Sequence, residues 1–247
     1  MHLNTLVIHF DNEISHRETP LFRGAVIASL RNKHVLFHNH AEDGFRYAYP
    51  LIQYKRVRGR AMIVCLGEGV DEIGELFAAD SLRLRLGDRE EDFRVASLRP
   101  MRFNVQLWER QFEYRVTRWL PLNSDNYARY QQTDSLVERT QMLERILTGN
   151  MLSFLKGIGL HLDGRLSCTV TAISEPHRAI VKGVYMTSFD VRFRSNLSLP
   201  DYIGLGKHAS FGCGIVTRNR GARGEERENG LREERGERSE EREKTDE

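Results

Sequence analysis

Apolar residues with strand-like or helix-like spacing occur along the first 218 residues of the chain. In the first hundred residues, short runs rich in branched and aromatic residues predict strands, and apolar positions three or four apart predict helices. The predicted strands are 3–10, 33–40, 47–54 and 60–66; one predicted helix begins at Thr19-Pro20 and runs to Leu30, and another spans 69–79. This order is close to the β-α-β-β-α-β pattern of a ferredoxin-like unit.

From Leu82 onward the pattern is mainly alternation, followed by one long helical segment and further strands. The predicted strands are 82–86, 93–98, 103–108, 112–120, 166–173, 179–184 and 186–194, and 205–216 ends the folded part. Residues 124–160 have helical spacing, and Gly149-Asn150 is expected to end one helix and start another. Pro100 lies between two predicted strands and is the expected domain boundary. Residues 1–99 and 100–218 are therefore predicted to be separate α+β domains.

The last segment, 219–247, consists mostly of Arg, Glu and Gly and has almost no apolar residue. Such a segment cannot bury enough surface to order itself and is predicted to be a disordered, solvated tail. It holds 8 basic and 11 acidic residues, so 29 of the 37 basic and 24 of the 35 acidic residues remain for 1–218. Residues 1–218 thus have a net charge of +5, whereas the whole chain has +2 because the tail is acidic. A net positive charge on the folded part is compatible with a polyanionic partner.

The three cysteines, Cys65, Cys168 and Cys213, are far apart and form no CxxC pair. Their spacing argues against a zinc site or a disulfide framework and suits a reducing compartment. No signal peptide is evident, and no apolar run approaches the roughly 18 residues of a membrane span. We therefore expect a cytoplasmic protein that has no membrane partner.

The predicted strand at 33–40 ends in two histidines, His38 and His40. Residues two apart in a strand face the same side, with Cβ atoms about 6.5–7 Å apart. Two imidazoles at that spacing can approach one phosphodiester from either side. Histidine suits metal-free RNA cleavage, because its pKa lets it act as general base or general acid near neutral pH. Lys33 or Arg46 could stabilise the phosphorane charge, and Tyr47 could orient the nucleotide.

Other interpretations of the His38–His40 pair remain open at this point. The letters HNH do not make an HNH nuclease, because in that family they name residues spread over a ββα-metal element. A metal site would need at least a third ligand, and only Glu42 and Asp43 are close in sequence. Two histidines on a solvated strand face are the simplest structural interpretation.

A glycine-rich stretch near the end of the folded part has the spacing G-x-G-x5-G-x-G. Its glycines are Gly204, Gly206, Gly212 and Gly214, with Lys207 between them. The spacing matches neither a Walker A motif nor G-x-G-x-x-G. Backbone amides together with Lys207 could hold a phosphate chain; the alternative is a bulged hairpin between strands.

Basic residues also stand beside aromatic residues, which is typical of single-stranded RNA binding. These groups are Lys55, Arg56, Arg58 and Arg60; Arg115, Arg118 and Trp119; and Arg192 and Arg194 around Phe193. Lys55, Arg56 and Arg58 are the RNA-binding candidates among them. Solvated sheet edges explain each group equally well.

Two stretches resemble the b-type subgroup of the Cas-six family of CRISPR repeat-processing endoribonucleases, within the RAMP superfamily. LFHNHAEDGFRYAYPLIQYK with the following RAMIVCLGEGVDEI is similar to the N-terminal domain of that subgroup, and IGLGKHASFGCGIV to the glycine-rich loop of the superfamily. TGNMLSFLKGIGL fits the same C-terminal domain. The resemblance covers residues 1 to about 218.

The resemblance implies tandem ferredoxin-like (RRM-like) domains and metal-independent cleavage that leaves 2′,3′-cyclic phosphate and 5′-hydroxyl ends. It places His38, His40 and Tyr47 in the catalytic site, with Lys33 or Arg31 as a supporting cation. It places Gly204, Gly206, Gly212 and Gly214 on the RNA-contacting loop. No cofactor is expected, and the expected partner is CRISPR repeat RNA. Other Cas proteins and a second copy of the chain are further candidate partners.

Two rival functions remain open. One is a non-catalytic RNA-binding subunit of a CRISPR interference complex, and the other is a metal-dependent hydrolase that uses the H-x-H pair. If His38 and His40 are not the acid and base, His34 and His208 are the next candidates.

Overall fold

The computed structural model of the chain describes residues 2–30, 40–41, 44–45, 49–77, 82–181 and 183–219, with only the backbone at 40, 41, 44, 45 and 75. Elements of the first half are β1 (His2–Glu13), α1 (Thr19–Ser29), β2 (His40–Ala41), β3 (Gly44–Phe45), β4 (Ile52–Val57), β5 (Arg60–Leu66), α2 (Glu68–Glu72), a 3₁₀ helix (Ile73–Phe77), β6 (Arg83–Leu86), β7 (Arg89–Asp92) and β8 (Val95–Asn104). Elements of the second half are β9 (Leu107–Trp119), α3 (Ser124–Gln132), α4 (Leu136–Gly157), β10 (Cys168–Ile173), β11 (His177–Val181), β12 (Val184–Leu197) and β13 (Ile215–Arg218).

Both halves contain an antiparallel sheet with the same strand order. The first sheet runs β4-β5-β1-β8 and the second runs β10-β12-β9-β13, with β11 added beside β12. If the four main strands of each half are numbered along the chain, both orders read 2-3-1-4, which is the ferredoxin-like topology. The predicted tandem ferredoxin-like, α+β fold is therefore confirmed. In the second half, residues 198–214 contain no helix between β12 and β13, and the glycine-rich stretch takes that place.

The two halves share one hydrophobic cluster, and the first half has a separate cluster under α1. One face of the first sheet packs on α1, where Phe10, Phe22 and Tyr54 are fully buried. The opposite face, which includes Val7 and Val64, packs in one cluster with the strands and α4 of the second half. Because β5 is covered on both faces, its residues from Ala61 to Leu66 are continuously apolar instead of alternating.

Helix α1 follows the predicted apolar spacing. Phe22 and Val26 are fully buried, and Leu30 follows the helix as its C-cap. Thr19 is the first helical residue and Glu18 is the N-cap, one position earlier than the sequence predicts. Pro20 fits here because the first turn of a helix uses no amide donors.

Two interruptions of secondary structure that the sequence predicts are wrong: one between the predicted strands 93–98 and 103–108, and one in the helical segment at Gly149-Asn150. Pro100 lies inside β8, opposite Leu6 of β1. The proline is tolerated because β8 is an edge strand, whose outward N–H groups need no partner in the sheet. Gly149 lies inside α4, which is one helix of 22 residues with Ser135 as its N-cap. The division into domains at 99/100 stays a prediction. The disorder of the tail also stays a prediction, because only Asn219 of the tail is within the described part.

Candidate functional site

Most of the predicted catalytic residues fall in parts of the chain that the structure does not describe. These are Lys33, His38 and Tyr47, together with the RNA-binding candidate Arg46 and the alternatives Arg31 and His34. His40 is described by its backbone, which forms β2 and pairs with Phe45 of β3. The shared face of His38 and His40 therefore stays a prediction.

The glycine-rich loop, residues 204–214, is a tightly closed structure. Its two ends are joined by a bridge between Gly204 and Ile215 and by a hydrogen bond of 2.8 Å from the amide of Leu205 to the carbonyl of Gly214. A Cβ at Gly214, where φ is +64°, would overlap the carbonyl oxygen of Leu205. At Gly204 a Cβ would come within 2.7 Å of the Cβ of Ala209. Glycine is therefore required at both positions by the packing of the loop itself.

The loop is held against strand β4 of the first half by three consecutive residues. The amide of Tyr54 donates to the carbonyl of Ser210 at 2.8 Å. The Gln53 side-chain oxygen accepts from the amide of Gly204 at 2.8 Å. Lys55 Nζ donates to the carbonyl of Ala209 at 2.7 Å. The sequence QYK thus joins the two halves of the protein at the glycine-rich loop.

Tyr49 adds a fourth attachment from the segment that precedes β4. Its hydroxyl donates to the carbonyl of Gly204 at 2.9 Å, and its ring packs edge-on against Phe154 of α4 at 5.3 Å. A Cβ at Gly157 would overlap Tyr49, so the last residue of α4 also has to be small. The part of the chain that carries His38, His40 and Tyr47 therefore ends at a residue fixed to the glycine-rich loop.

The predicted RNA-binding role of Lys55 needs a correction. The whole side chain is buried, and desolvation lowers its pKa from 10.5 to about 7. An ammonium group that points into the protein and bonds to Ala209 cannot also contact an RNA phosphate. Lys55 instead attaches the glycine-rich loop to β4.

The remaining basic residues of this turn differ in exposure. Arg56 is half-buried, with Nε donating to the carbonyl of Ile14 at 2.6 Å and Nη1 3.3 Å from His16 Nε2. Arg58 is exposed in the turn before β5, with φ of +50°. Of the three predicted contacts in this cluster, Arg58 is the most accessible to a ligand.

His16 is a chemically relevant residue that the sequence reasoning missed. Desolvation, with the charges of Arg118 and Arg56, lowers the pKa of His16 to about 4. Its ring is therefore neutral near pH 7 and accepts a hydrogen bond from Arg56. Only the tertiary fold brings His16 to the basic turn, so no local spacing could have indicated it.

The surface of the glycine-rich loop carries Lys207 and His208. Lys207 is exposed, and His208 has φ of +57° with its ring 4.9 Å from that of Phe211. The guanidinium of Arg23, from α1, lies 6.0 Å from the Phe211 ring, and burial lowers its pKa. Arg23 is a second basic residue next to the loop that the sequence reasoning missed.

The basic–aromatic groups around Trp119 and Phe193 fit the interpretation as solvated strands of a sheet better than the interpretation as RNA-binding surfaces. Trp119 and Phe193 are fully buried in the core, while Arg115, Arg192 and Arg194 are exposed and Arg118 is half-buried. Arg115 pairs with Asp190 at 2.8 Å. Arg194 binds one oxygen of Glu113 through two nitrogens, at 2.8 and 2.6 Å. These residues alternate between core and surface, and the two buried rings offer no face to a nucleotide.

Two further observations concern other classes of site. Within the described residues, no group of three or more His, Cys, Asp or Glu side chains could hold a metal ion. No helix in the described ranges is long and apolar enough to cross a membrane.

Comparison with known proteins adds evidence on the family. A model of the Cas6b N-terminal domain matches residues 1–104, and a model of the Cas6b C-terminal domain matches residues 106–219. The uncharacterized protein MJ0978 of Methanocaldococcus jannaschii is 31% identical over 111 residues, which are 44% of this chain and 74% of that protein.

Solved structures agree in fold. A crystal structure of Cas6b has a TM-score of 0.81 and 24% identity, and the match covers 89% of this chain and 100% of that chain. A crystal structure of the CRISPR RNA processing endoribonuclease Cas6b has a TM-score of 0.70 and 22% identity over the same shares. Since the two domain models match the two halves in sequence order, this chain belongs to the Cas6b family.

Proposed function

We propose that this protein is an endoribonuclease that cleaves the repeat RNA of CRISPR precursor transcripts without a metal ion. The observation that carries the proposal is the match of both halves to the Cas6b family models. A structural relative described as a CRISPR RNA processing endoribonuclease supports the reaction class. The net charge of +5 on residues 1–218 is compatible with an RNA substrate.

The proposed reaction is attack of a ribose on its own phosphate. One imidazole of the His38–His40 pair takes the proton from a 2′-hydroxyl, and O2′ forms a bond to the adjacent phosphorus. The P–O5′ bond breaks, and the other histidine, as imidazolium, gives its proton to O5′. The products are a 2′,3′-cyclic phosphate and a 5′-hydroxyl. Either histidine can take either role.

Other residues are proposed to hold the substrate. Lys33 or Arg46 would stabilise the negative charge of the phosphorane, and Tyr47 would orient the nucleotide. Support for this location comes from Tyr49, which ties the end of their segment to Gly204. Attachment of the glycine-rich loop to β4 would then keep both parts of the site together.

The glycine-rich loop is proposed to bind RNA through its surface. Gly204 and Gly214 donate their amides within the protein, to Gln53 and Arg118 respectively. Their contribution is therefore to shape the loop, while Lys207 presents a charge to a phosphate. Gly206 and Gly212 stay proposed backbone contacts, and Arg56 and Arg58 would extend the basic surface.

Replacement of the two histidines tests the assignment of the acid and base. The change of His38 and His40 to Ala should abolish cleavage of repeat RNA, since each role contributes about 10²–10⁴-fold, while RNA affinity stays nearly unchanged. His161→Ala, at an exposed position after α4, is the matched control and should cleave at the wild-type rate. Cleavage that survives the double change would transfer the roles to His34 or His208.

Measurements on the wild-type protein separate the rival functions. A non-catalytic subunit of an interference complex would bind repeat RNA and give no product even as wild type. A metal-dependent hydrolase would contain zinc or manganese in elemental analysis and lose activity in EDTA. Association with other Cas proteins or with a second copy belongs to this proposal and is tested by co-purification from the source cell. The proposed cytoplasmic location is tested by fractionation of the same cells.

A further inference from the structure

An open cleft lies beside the glycine-rich loop, between the start of α3 and the hairpin formed by β11 and β12. Its volume is about 580 Å³. We call it the tyrosine cleft and define it by six of its lining residues: Asn123, Tyr127, Arg178, Val184, Tyr185 and Lys207. Lys207 connects the cleft to the loop described above.

The two tyrosines of the cleft are much more exposed than the tyrosines in the core of this protein. Tyr185 is 68% exposed and Tyr127 is 45% exposed, whereas Tyr54 and Tyr114 are at most 1% exposed. Val184, next to Tyr185, is 61% exposed. These tyrosine rings are not packed in the hydrophobic core, so their faces are accessible to a planar ligand that can stack on them.

Positive charge stands directly beside the rings. The guanidinium of Arg178 lies 5.9 Å from the centroid of the Tyr185 ring, in cation–π range. Lys207 is exposed and also lines the cleft. Among the described residues, neither Arg178 nor Lys207 forms an ion pair with an acidic side chain. Both charges are therefore free to bind an anion.

Strand geometry places the arginine and the ring on one face of the hairpin. Ile180 is paired with Tyr185, and Arg178 with Thr187. Directly paired residues of antiparallel strands share a face, as do residues two apart. Arg178 and Tyr185 therefore project to the same side, while Ala179 and Val181 are buried on the other. The hairpin is one-sided, with a packed face and a face that offers aromatic and basic groups.

We propose that the tyrosine cleft binds an unpaired segment of the RNA substrate, with bases stacked on Tyr185 and Tyr127 and phosphates at Arg178 and Lys207. Exposed aromatic faces flanked by cations are what single-stranded RNA needs, because its bases are free to stack and its backbone is anionic. Bases inside a duplex are already stacked and cannot enter. This inference rests on the proposed function for the identity of the RNA, and the cleft extends the proposed site from Lys207 toward the hairpin.

Binding of a fluorescein-labelled oligouridylate to the full chain, followed by anisotropy, tests the proposal. Tyr185→Leu should weaken binding about tenfold, and the further change of Tyr127→Leu should weaken it again, since stacking on one ring contributes about 5- to 150-fold. Tyr185→Phe keeps the stacking face and should bind like wild type. Arg178→Gln should reduce the slope of log affinity against log salt by about 0.7.

The matched control is Trp108→Leu. Trp108 is also an exposed aromatic residue with an arginine, Arg110, at 5.2 Å, but it does not line the cleft. It should bind oligouridylate within about twofold of wild type. An equal loss in Trp108→Leu would overturn the assignment to the cleft.

Other outcomes also decide the proposal. The proposal would be overturned if wild type did not bind oligouridylate. It would also be overturned if the tyrosine variants bound with unchanged affinity, and the cleft would then be better explained as a protein-docking surface. Absence of repeat cleavage by wild type would refute the proposed function and leave this binding result standing, because binding is scored without cleavage. In single-turnover cleavage the tyrosine variants should require more protein yet reach the wild-type rate at saturation.

Discussion

Replacement of Gly214 by Ala gives the sharpest test of the glycine-rich loop as described above. A Cβ at this position would overlap the carbonyl of Leu205, and φ of +64° is strained for any residue with a side chain. The left-handed backbone costs about 1–2 kcal/mol. Two hydrogen bonds would also be disturbed: Leu205 to the Gly214 carbonyl at 2.8 Å and the Gly214 amide to Arg118 at 3.0 Å, each worth about 1 kcal/mol. The expected loss in the free energy of unfolding is roughly 2–4 kcal/mol.

Thermal unfolding followed by circular dichroism measures this loss. For a chain of this size, 1 kcal/mol corresponds to about 2–4 °C, so Gly214→Ala should lower Tm by roughly 5–15 °C. Gly149→Ala is the matched control, because Gly149 is exposed inside α4 and a Cβ there meets nothing within 4 Å. It should raise Tm by a few degrees, as alanine favours helix by up to about 1 kcal/mol. A Gly214→Ala protein that melts at the wild-type temperature would refute the packing argument for this loop.

Two further predictions concern the attachment of the loop to the first half. Burial lowers the pKa of Lys55 from 10.5 in the unfolded chain to about 7, so the unfolded state binds the Lys55 proton more tightly between these values. The contribution of Lys55 to the free energy of unfolding should therefore rise with pH from 7 to 10.5, by up to roughly 5 kcal/mol. Urea titrations measure it as the pH-dependent difference between wild type and Lys55→Met, because burial raises the pKa of Cys65, Cys168 and Cys213 and these thiols act in the opposite direction above about pH 9. An identical pH dependence in Lys55→Met would show that another group is responsible. Tyr49→Phe removes the hydrogen bond to Gly204 while it keeps the packing on Phe154, and it should cost about 1 kcal/mol by the same titration. No loss in Tyr49→Phe, with a clear loss in Tyr49→Ala, would assign the contribution to the ring instead of the hydroxyl.

Local spacing predicted many elements because their burial follows the apolar pattern. Helix α1 and strand β5 were found close to where the sequence placed them. The predictions at Pro100 and Gly149 were wrong for the same reason. Each residue lies at a position that does not need the group it lacks, which is the N–H for proline and the side chain for glycine. An edge strand needs no outward donor at Pro100, and an exposed helix face needs no side chain at Gly149. Neither circumstance can be read from neighbouring residues.

The site was harder to predict, because its contacts join distant parts of the chain. Lys55 looked like part of a basic surface, but its bond to Ala209 spans 154 positions and places it in the interior. The glycine spacing indicated where the loop is. It could not show whether glycine is required there for close packing within the protein or for backbone contact with RNA. His16 and Tyr185 carry no motif, and they become candidates only through Arg56 and Arg178, which the fold brings next to them.

Cleavage of repeat RNA in EDTA, with and without a 2′-deoxy substitution at the scissile nucleotide, tests the central claim most directly. We expect full cleavage of the all-ribose RNA in EDTA, with 2′,3′-cyclic phosphate and 5′-hydroxyl ends, and no cleavage of the 2′-deoxy RNA, which should still bind. Cleavage that requires a divalent metal, or that proceeds without the 2′-hydroxyl, would contradict it.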